Sequence, residues 1–184
     1  MLLGRDQIKQ VPWTQLLVEA ALVVLSVLLA LAMQSCREAQ LNKELAQQAL
    51  RNIASEIRVN QQEVEEALAY NRTLVDHLRQ NPASGITWKP ALIRDSAWET
   101  AQASGAAHYL DFSVISIVVE IHEIHEQYKR FTTINVQIIY EANMRGASLE
   151  GRTSSPFLNS VYDLMTLEQR LLEKYKEALE RIEA

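Results

Sequence analysis

The residues most suited to chemistry form one short run, His122-Glu123-Ile124-His125-Glu126. Residues three and four apart share a helix face, so His122, His125 and Glu126 would lie together in a helix. Imidazole and carboxylate groups gathered in this way are ligands that zinc, iron or manganese accept. The spacing differs from the zinc motif His-Glu-x-x-His and from the di-iron motif Glu-x-x-His. Since no other stretch offers matching ligands, we expect a solvated polar strip on an amphipathic helix, with no metal or other cofactor.

The remaining composition argues against several functional classes. The sequence has no recognisable nucleophile–base pair or phosphate-binding loop, so we predict that the protein is not an enzyme. The chain holds 18 basic and 23 acidic residues, and two of each precede residue 37. The acidic excess therefore lies in residues 37–184, which disfavours binding to nucleic acid. The single cysteine, Cys36, excludes an internal disulfide and a cysteine-rich metal site.

One hydrophobic segment, Leu16 to Met33, organises the rest of the sequence. Glu19 is its only charged residue and Ser26 its only polar one. A helix of this length spans about 27 Å, which is close to the hydrocarbon thickness of a bilayer. We therefore predict a short N-terminal tail over residues 1–11 and a single transmembrane helix over residues 12–36. A basic tail before a first span usually stays in the cytoplasm, which predicts an extracytoplasmic C-terminal domain at a bacterial inner membrane.

Two other interpretations of this segment stay open. A cleaved signal peptide fits the apolar core Ala20–Met33, because such cores hold about 7–15 residues. A lipoprotein signal would place a lipid on Cys36, although Met33 stands where leucine or a similar residue is usual. We favour an uncleaved anchor because the stretch is long enough to span a bilayer and ends without an Ala-x-Ala-like cleavage site.

The polar and small residues of the predicted span fall on one helical face. This membrane-helix packing face consists of Gln15, Glu19, Ser26 and Ala30. Such residues are what membrane helices use to pack on each other, and intramembrane carboxylates tend to face protein or water. The face predicts association with a second copy or with another membrane protein. The alternative is that Glu19 lies near the interface and extends its carboxylate toward water.

Residues 37–184 predict an extramembrane helical domain. Neither glycine nor proline occurs between Trp13 and Asn81, and good helix formers dominate that stretch. The expected helices cover about residues 37–80, 91–107, 111–145 and 155–183. The run Ser113–Ile121 is rich in β-branched residues, but helical spacing continues through it for about thirty residues, which favours a helix over a strand. The fold class is therefore all-α: a membrane helix continuing into a long-helix antiparallel bundle or coiled coil.

The apolar stripes of these helices carry polar interruptions. The stripe of the first helix includes Ile53, Ile57 and Val64, and Asn60 and Asn71 interrupt it. We expect the two asparagines to form a hydrogen-bonded polar layer; the alternative is that they set the register of the helices. In the last helix, Phe157, Leu164, Leu171 and Ala178 recur every seven residues. Glu168 interrupts the companion series of Val161, Tyr175 and Ile182. We expect its carboxylate to lie at the edge of the helix seam and to reach water.

A small-residue segment follows the tryptophan in Arg94-Asp95-Ser96-Ala97-Trp98-Glu99-Thr100-Ala101-Gln102-Ala103-Ser104-Gly105-Ala106. Large and small residues side by side are ordinary in a packed core, which is the interpretation we favour. The alternative is a groove for a partner or ligand, formed by Trp98, Ala101, Gln102 and Gly105.

A basic tail, the segment VVLSVLLALAMQSCREAQLNKELAQQAL and the segment RDSAWETAQASGA together resemble a group of uncharacterised single-span bacterial membrane proteins. The similarity covers roughly residues 12–107 and implies a bacterial membrane location, without implying site residues. From the residues themselves we predict a non-catalytic, membrane-anchored scaffold or accessory subunit. The alternative function is a sensor-like, ligand-binding helical bundle that acts through a separate signalling partner.

Overall fold

The computed structural model describes residues 13–80, 88–144 and 156–183, and it is helical throughout these ranges apart from short connecting stretches. Helix α1 covers Trp13–Gln80, α2 covers Ser96–Ala103, α3 covers Phe112–Met144 and α4 covers Pro156–Glu183. A 3-10 helix at Ala106–Tyr109 lies between α2 and α3. The side chains at 14, 15, 138–144, 156 and 157 lie outside the described set, and so do the predictions made for Gln15 and Phe157.

The chain divides into two compact units, and the division falls between Glu44 and Leu45 within α1. In the first unit, the described side chains from Leu16 to Met33 are all exposed in the isolated chain. By length and composition, α1 is apolar enough from Leu16 onward to cross a membrane. Within the described ranges, the all-helical class and one candidate membrane-spanning helix, both predicted from the sequence, are therefore confirmed.

The second unit begins at Leu45 and has its own hydrophobic core. α1 contributes Ile53, Ile57 and Val64 to it, and these side chains lie in the stripe predicted from helical spacing. The other helices add further buried residues: Trp98, Ala101, Ile117, Ile121, Ile124, Leu164, Leu171, Tyr175 and Ala178. Burial of these apolar side chains is the main force that holds the helices together.

Local signals explain where the helices begin and change direction. Asp111 accepts a hydrogen bond from the backbone N–H of Ser113 at 2.8 Å, which caps the first turn of α3. The segment expected as one helix over 91–107 is shorter and divided, because Gly105 adopts φ 76° after α2. A β-carbon is strained in this left-handed conformation, so glycine suits the junction with the 3-10 helix.

The prediction that the Glu168 carboxylate reaches water is wrong. Its side chain is fully buried, with 0 % exposure, and it does not reach water at the edge of a seam. Residues 161, 168 and 175 recur every seven positions and all three are buried, so the helical period places the carboxyl group inside the core. The physical reason is that Asn71 and Tyr128 supply hydrogen bonds to it there.

Candidate functional site

Several polar side chains of the second unit bind the stretch of residues 88–95, here called the connector. The connector is not helical, so its backbone groups need partners outside regular secondary structure. The Asn60 side chain donates to the Arg94 carbonyl oxygen at 2.7 Å and accepts from the Arg94 N–H at 3.0 Å. The Tyr128 hydroxyl accepts from the buried Ala91 N–H at 2.8 Å. Residues of α1 and α3 thus fasten the connector to the core.

Glu56 of α1 forms further hydrogen bonds, with the start of α2. Its carboxylate accepts from the Ser96 hydroxyl at 2.6 Å and from the Ala97 N–H at 3.0 Å. The first N–H groups of a helix lack partners within the helix, and an anion near them is favourable. Asp95 occupies the N-cap position but makes no side-chain cap hydrogen bond. A residue of α1 therefore caps α2, which leaves the Asp95 carboxylate available for another role.

The Asp95 carboxylate lies at the centre of a group of polar side chains that we call the Asp95 cluster. The cluster consists of Asp95, His125, Lys129 and Tyr175. The Asp95 carboxylate contacts His125 Nδ1 through one oxygen and Lys129 Nζ through the other. His125 Nε2 lies 2.6 Å from the Tyr175 hydroxyl. Burial by itself raises the pKa of Asp95, but hydrogen bonds from His125 and Lys129 lower it to about 2. Asp95 is therefore a carboxylate at neutral pH.

The order carboxylate, imidazole, hydroxyl is also that of nucleophilic catalytic triads. Here the hydroxyl belongs to Tyr175, whose side chain has 0 % exposure, and His125 is 3 % exposed. Burial raises the pKa of Tyr175 well above its usual value, and the nearby Asp95 charge raises it further. The hydroxyl therefore stays protonated and lies away from solvent. These properties suit a hydrogen-bonded core layer that joins α3, α4 and the connector.

A second buried group, here called the Glu168 cluster, consists of Glu168, Asn71 and Tyr128. Asn71 Nδ2 donates to Glu168 Oε1 at 3.0 Å, and the Tyr128 hydroxyl donates to the same oxygen at 3.1 Å. Burial raises the pKa of Glu168 to about 7, although the hydrogen bonds from Asn71 and Tyr128 lower it. Asn71 Oδ1 is buried and has no hydrogen-bond partner among the described residues. Both donors are neutral, in contrast to the Asp95 cluster.

A small cavity lies beside Trp98 and the Asp95 cluster. Its lining includes Asn60, Asp95, His122 and His125, so polar groups converge on it. Its volume is about 20 Å³, close to what one water molecule requires. Small-molecule sites are typically about 300–1,000 Å³ in volume. The converging groups therefore have room for a solvent molecule beside the tryptophan and not for an organic ligand.

The histidine run differs from the solvated strip expected from the sequence. His125 is buried, His122 is half-buried with its Nδ1 3.9 Å from Asp95, and Glu126 is exposed. The expectation is wrong for His125, because Asp95 and Tyr175 supply polar partners inside the core. Among the described residues, no group of three His, Cys, Asp or Glu side chains could hold a metal ion.

The predicted site residues lie in different environments. On the proposed packing face, Glu19, Ser26 and Ala30 are exposed, and the Ser26 hydroxyl donates to the Leu22 carbonyl of its own helix at 2.7 Å. In the proposed groove, Trp98 and Ala101 are buried in the core, whereas Gln102 faces solvent and Gly105 is half-buried. The four groove residues therefore do not share one surface.

Sequence reasoning missed Asp95 and the pairing of His125 with Tyr175. The available signal was a polar residue at a core-spaced position, since His125 follows Ile121 by four residues and precedes Tyr128 by three. Comparison with known proteins adds no further assignment: no family model, curated protein or solved structure matches the chain.

Proposed function

We propose that the protein is a membrane-anchored, non-catalytic helical scaffold or accessory subunit that positions or assembles partners at a bacterial membrane. The observation that carries the proposal is that polar side chains in and beside the core form hydrogen bonds between different elements of the domain. Buried Asn60 and Tyr128, together with half-buried Glu56, bind backbone or side-chain groups of the connector and α2, and Asp95 of the connector binds His125 of α3. Groups engaged in this way give a domain one defined shape, which a positioning device needs.

The proposed architecture is an antiparallel bundle built on the part of α1 that follows Leu45. Arg58 pairs with Glu183, and Asn71 with Glu168, so residue numbers rise along α1 as they fall along α4. The same holds for α3 and α4, where Glu120 pairs with Lys174 at 3.0 Å and Asn135 with Ser160 at 2.5 Å. α1 and α3 therefore both run opposite to α4, and the connector runs back along α1, since Lys89 pairs with Glu66 and Arg94 with Asn60.

The proposed location is the bacterial inner membrane, with the N-terminus in the cytoplasm and the C-terminal domain outside it. The support is the apolar segment of α1 and the short basic tail before it. The resemblance to uncharacterised single-span bacterial membrane proteins points the same way.

The alternative, a sensor-like bundle with a small-molecule ligand, has weaker support. The cavity beside Trp98 holds about 20 Å³, far below the ~300 Å³ at the lower end of ligand sites. Two larger surface clefts, of about 340 and 450 Å³, are lined mainly by polar and charged side chains such as Arg94 and Arg170. Ligand sites are usually lined by apolar and aromatic side chains, so we rank the scaffold first.

The anchor and its orientation are tested together. The full-length protein should stay with membranes after a high-salt or alkaline wash, and a C-terminal reporter active only outside the cytoplasm should give a signal. Recovery in the soluble fraction would contradict the anchor. A signal from a cytoplasm-only reporter would contradict the orientation and leave the anchor in place.

Association through the anchor is tested by cross-linking single-cysteine variants at positions 15 to 34 in a Cys36→Ser background. The scaffold proposal expects cross-links every three to four residues on the face of Glu19 and Ala30, and weak cross-linking at Val24 and Leu28 on the opposite face. Glu19→Leu should weaken association without impairing insertion, whereas Glu19→Gln keeps a hydrogen-bonding group and should retain it. A protein that gives no periodic cross-links, and purifies alone and monomeric in mild detergent, would contradict the proposal.

A further inference from the structure

Glu168 is a buried titratable group that the scaffold proposal leaves without a role. The hydrogen-bond donors that reach its carboxyl group, Asn71 and Tyr128, are both neutral. A carboxylate buried beside neutral donors loses hydration and gains little charge compensation, so its neutral form is favoured. Glu168 therefore has two protonation states that can exchange under physiological conditions, while its surroundings fit the neutral state better.

One hydroxyl group joins Glu168 to the connector. The Tyr128 hydroxyl donates to Glu168 Oε1 at 3.1 Å and accepts from the Ala91 N–H at 2.8 Å. Ala91 is 6 % exposed, so its N–H depends on this hydroxyl in place of water. Any change that redirects the Tyr128 hydroxyl therefore removes a backbone hydrogen bond from the connector.

Few charged groups act on Glu168 from the surrounding elements. Arg72 on α1 lowers the pKa of Glu168, but the effect is smaller than that of burial. Tyr128 on α3 stays protonated, because burial and the Glu168 charge raise its own pKa. In the connector, Lys89 lies 3.7 Å from Glu66 of α1 and is paired there. Among these groups, the release of a proton by Glu168 leaves a charge that is only weakly compensated.

We propose that Glu168 is a proton-operated latch for the connector. With its proton bound, the carboxyl group stays in the core and Tyr128 keeps its hydrogen bond to Ala91. When the proton leaves for solvent, the carboxylate draws water into this part of the core, and this water competes for the Tyr128 hydroxyl and for the Ala91 N–H that it binds. The inference is independent of the membrane location and of the partner assigned to the protein.

The direction of the pH effect follows from linkage. The pKa of Glu168 is raised from 4.5 to about 7 in the folded protein. A raised carboxyl pKa contributes stability that is fully present below pH 4.5 and is lost as the pH rises through about 7. The latch is therefore closed in mild acid and opens more often as the solution approaches and passes neutrality.

Amide hydrogen exchange in the full-length protein, held in detergent micelles, tests the latch. After correction for the intrinsic exchange rate, protection of the Ala91 amide should fall by about tenfold or more between pH 5 and 8. The Arg94 amide, which is bound by Asn60, serves as the internal reference and should change less. Equal protection of Ala91 across this pH range would overturn the latch, and this result needs no variant.

Two test substitutions and one control identify the group responsible for the pH dependence. Glu168→Gln keeps the shape of the side chain but cannot ionise, so it should remove the pH dependence of Ala91 protection. Glu173→Gln on the exposed face of α4 is the matched control and should keep it. Tyr128→Phe should lower Ala91 protection at every pH, because it deletes the connecting hydroxyl. A pH dependence that persists in Glu168→Gln would overturn the assignment to Glu168.

Discussion

The Asp95 cluster and the Glu168 cluster bury the same functional group in two different electrostatic settings. Asp95 contacts the Lys129 ammonium and the His125 ring, whereas Glu168 receives its hydrogen bonds from an amide and a phenol. The pKa of Asp95 is accordingly lowered to about 2 and that of Glu168 is raised to about 7. The difference shows that the charge of the hydrogen-bonding partners, and not burial alone, decides whether a core carboxyl group is ionised.

The two clusters therefore respond to pH in opposite directions. The pKa of Asp95 falls from 3.8 to about 2 on folding, so its stabilisation is present above pH 3.8 and is lost as the pH drops through 2. The stabilisation from Glu168 is present below pH 4.5 and is lost as the pH rises through about 7. Both contributions are largely retained in the window between these limits, at mildly acidic pH.

The largest effect is expected for Asp95→Asn. The substitution leaves Lys129 and His125 without their shared carboxylate, and removal of one partner from a buried ionic group costs about 3 kcal/mol. Urea unfolding of the full-length protein at pH 7, followed by circular dichroism and tryptophan fluorescence, measures this loss. Asp163→Asn on the exposed face of α4 is the control and should change stability by less than about 0.5 kcal/mol. An equally small change for Asp95→Asn would remove the distinction between the clusters.

Replacement of the carboxyl group by an amide should have the opposite effect on stability in the Glu168 cluster. Glu168→Gln removes a carboxylate that lacks a hydrogen-bonded cation, and it should stabilise the protein by about 2 kcal/mol at pH 8. The gain should be close to zero at pH 4, which lies below the ordinary pKa of 4.5, so the wild-type carboxyl group is mostly neutral in the folded protein and in the unfolded chain. Unfolding in urea at both pH values measures the difference. Destabilisation at pH 8 would mean that the charged form of Glu168 is well accommodated.

A smaller effect is expected for Tyr175→Phe. The substitution keeps the ring and removes only the hydroxyl that lies 2.6 Å from His125 Nε2. The loss of one buried hydrogen bond costs about 1 kcal/mol. Tyr162→Phe is the matched control, because the Tyr162 hydroxyl is buried without a partner and its removal should cost almost nothing. Equal stabilities of the two variants would show that the hydroxyl adds nothing to the Asp95 cluster.

The sequence predicted the helices better than it predicted their polar core. Helical spacing identified α3 despite its β-branched run, and it placed Ile53, Ile57 and Val64 in the core. Spacing alone could not assign His125, because the same helix face is solvated or buried according to what packs on it. Its partners Asp95 and Tyr175 lie 30 and 50 residues away in the chain. Asp95 stands at the N-cap position of α2, and only the fold reveals that Glu56, from α1, caps this helix.

The most direct test is a titration of both carboxyl groups in one sample of the full-length protein. Carbon-13 labelling of aspartate and glutamate carboxyl groups would follow Asp95 and Glu168 by NMR, with Asp95→Asn and Glu168→Gln samples used for assignment. We expect Asp95 to stay ionised well below pH 3.8 and Glu168 to titrate near pH 7. If the two groups instead titrate near their ordinary values of 3.8 and 4.5, the distinction between a compensated and an uncompensated carboxyl group is wrong.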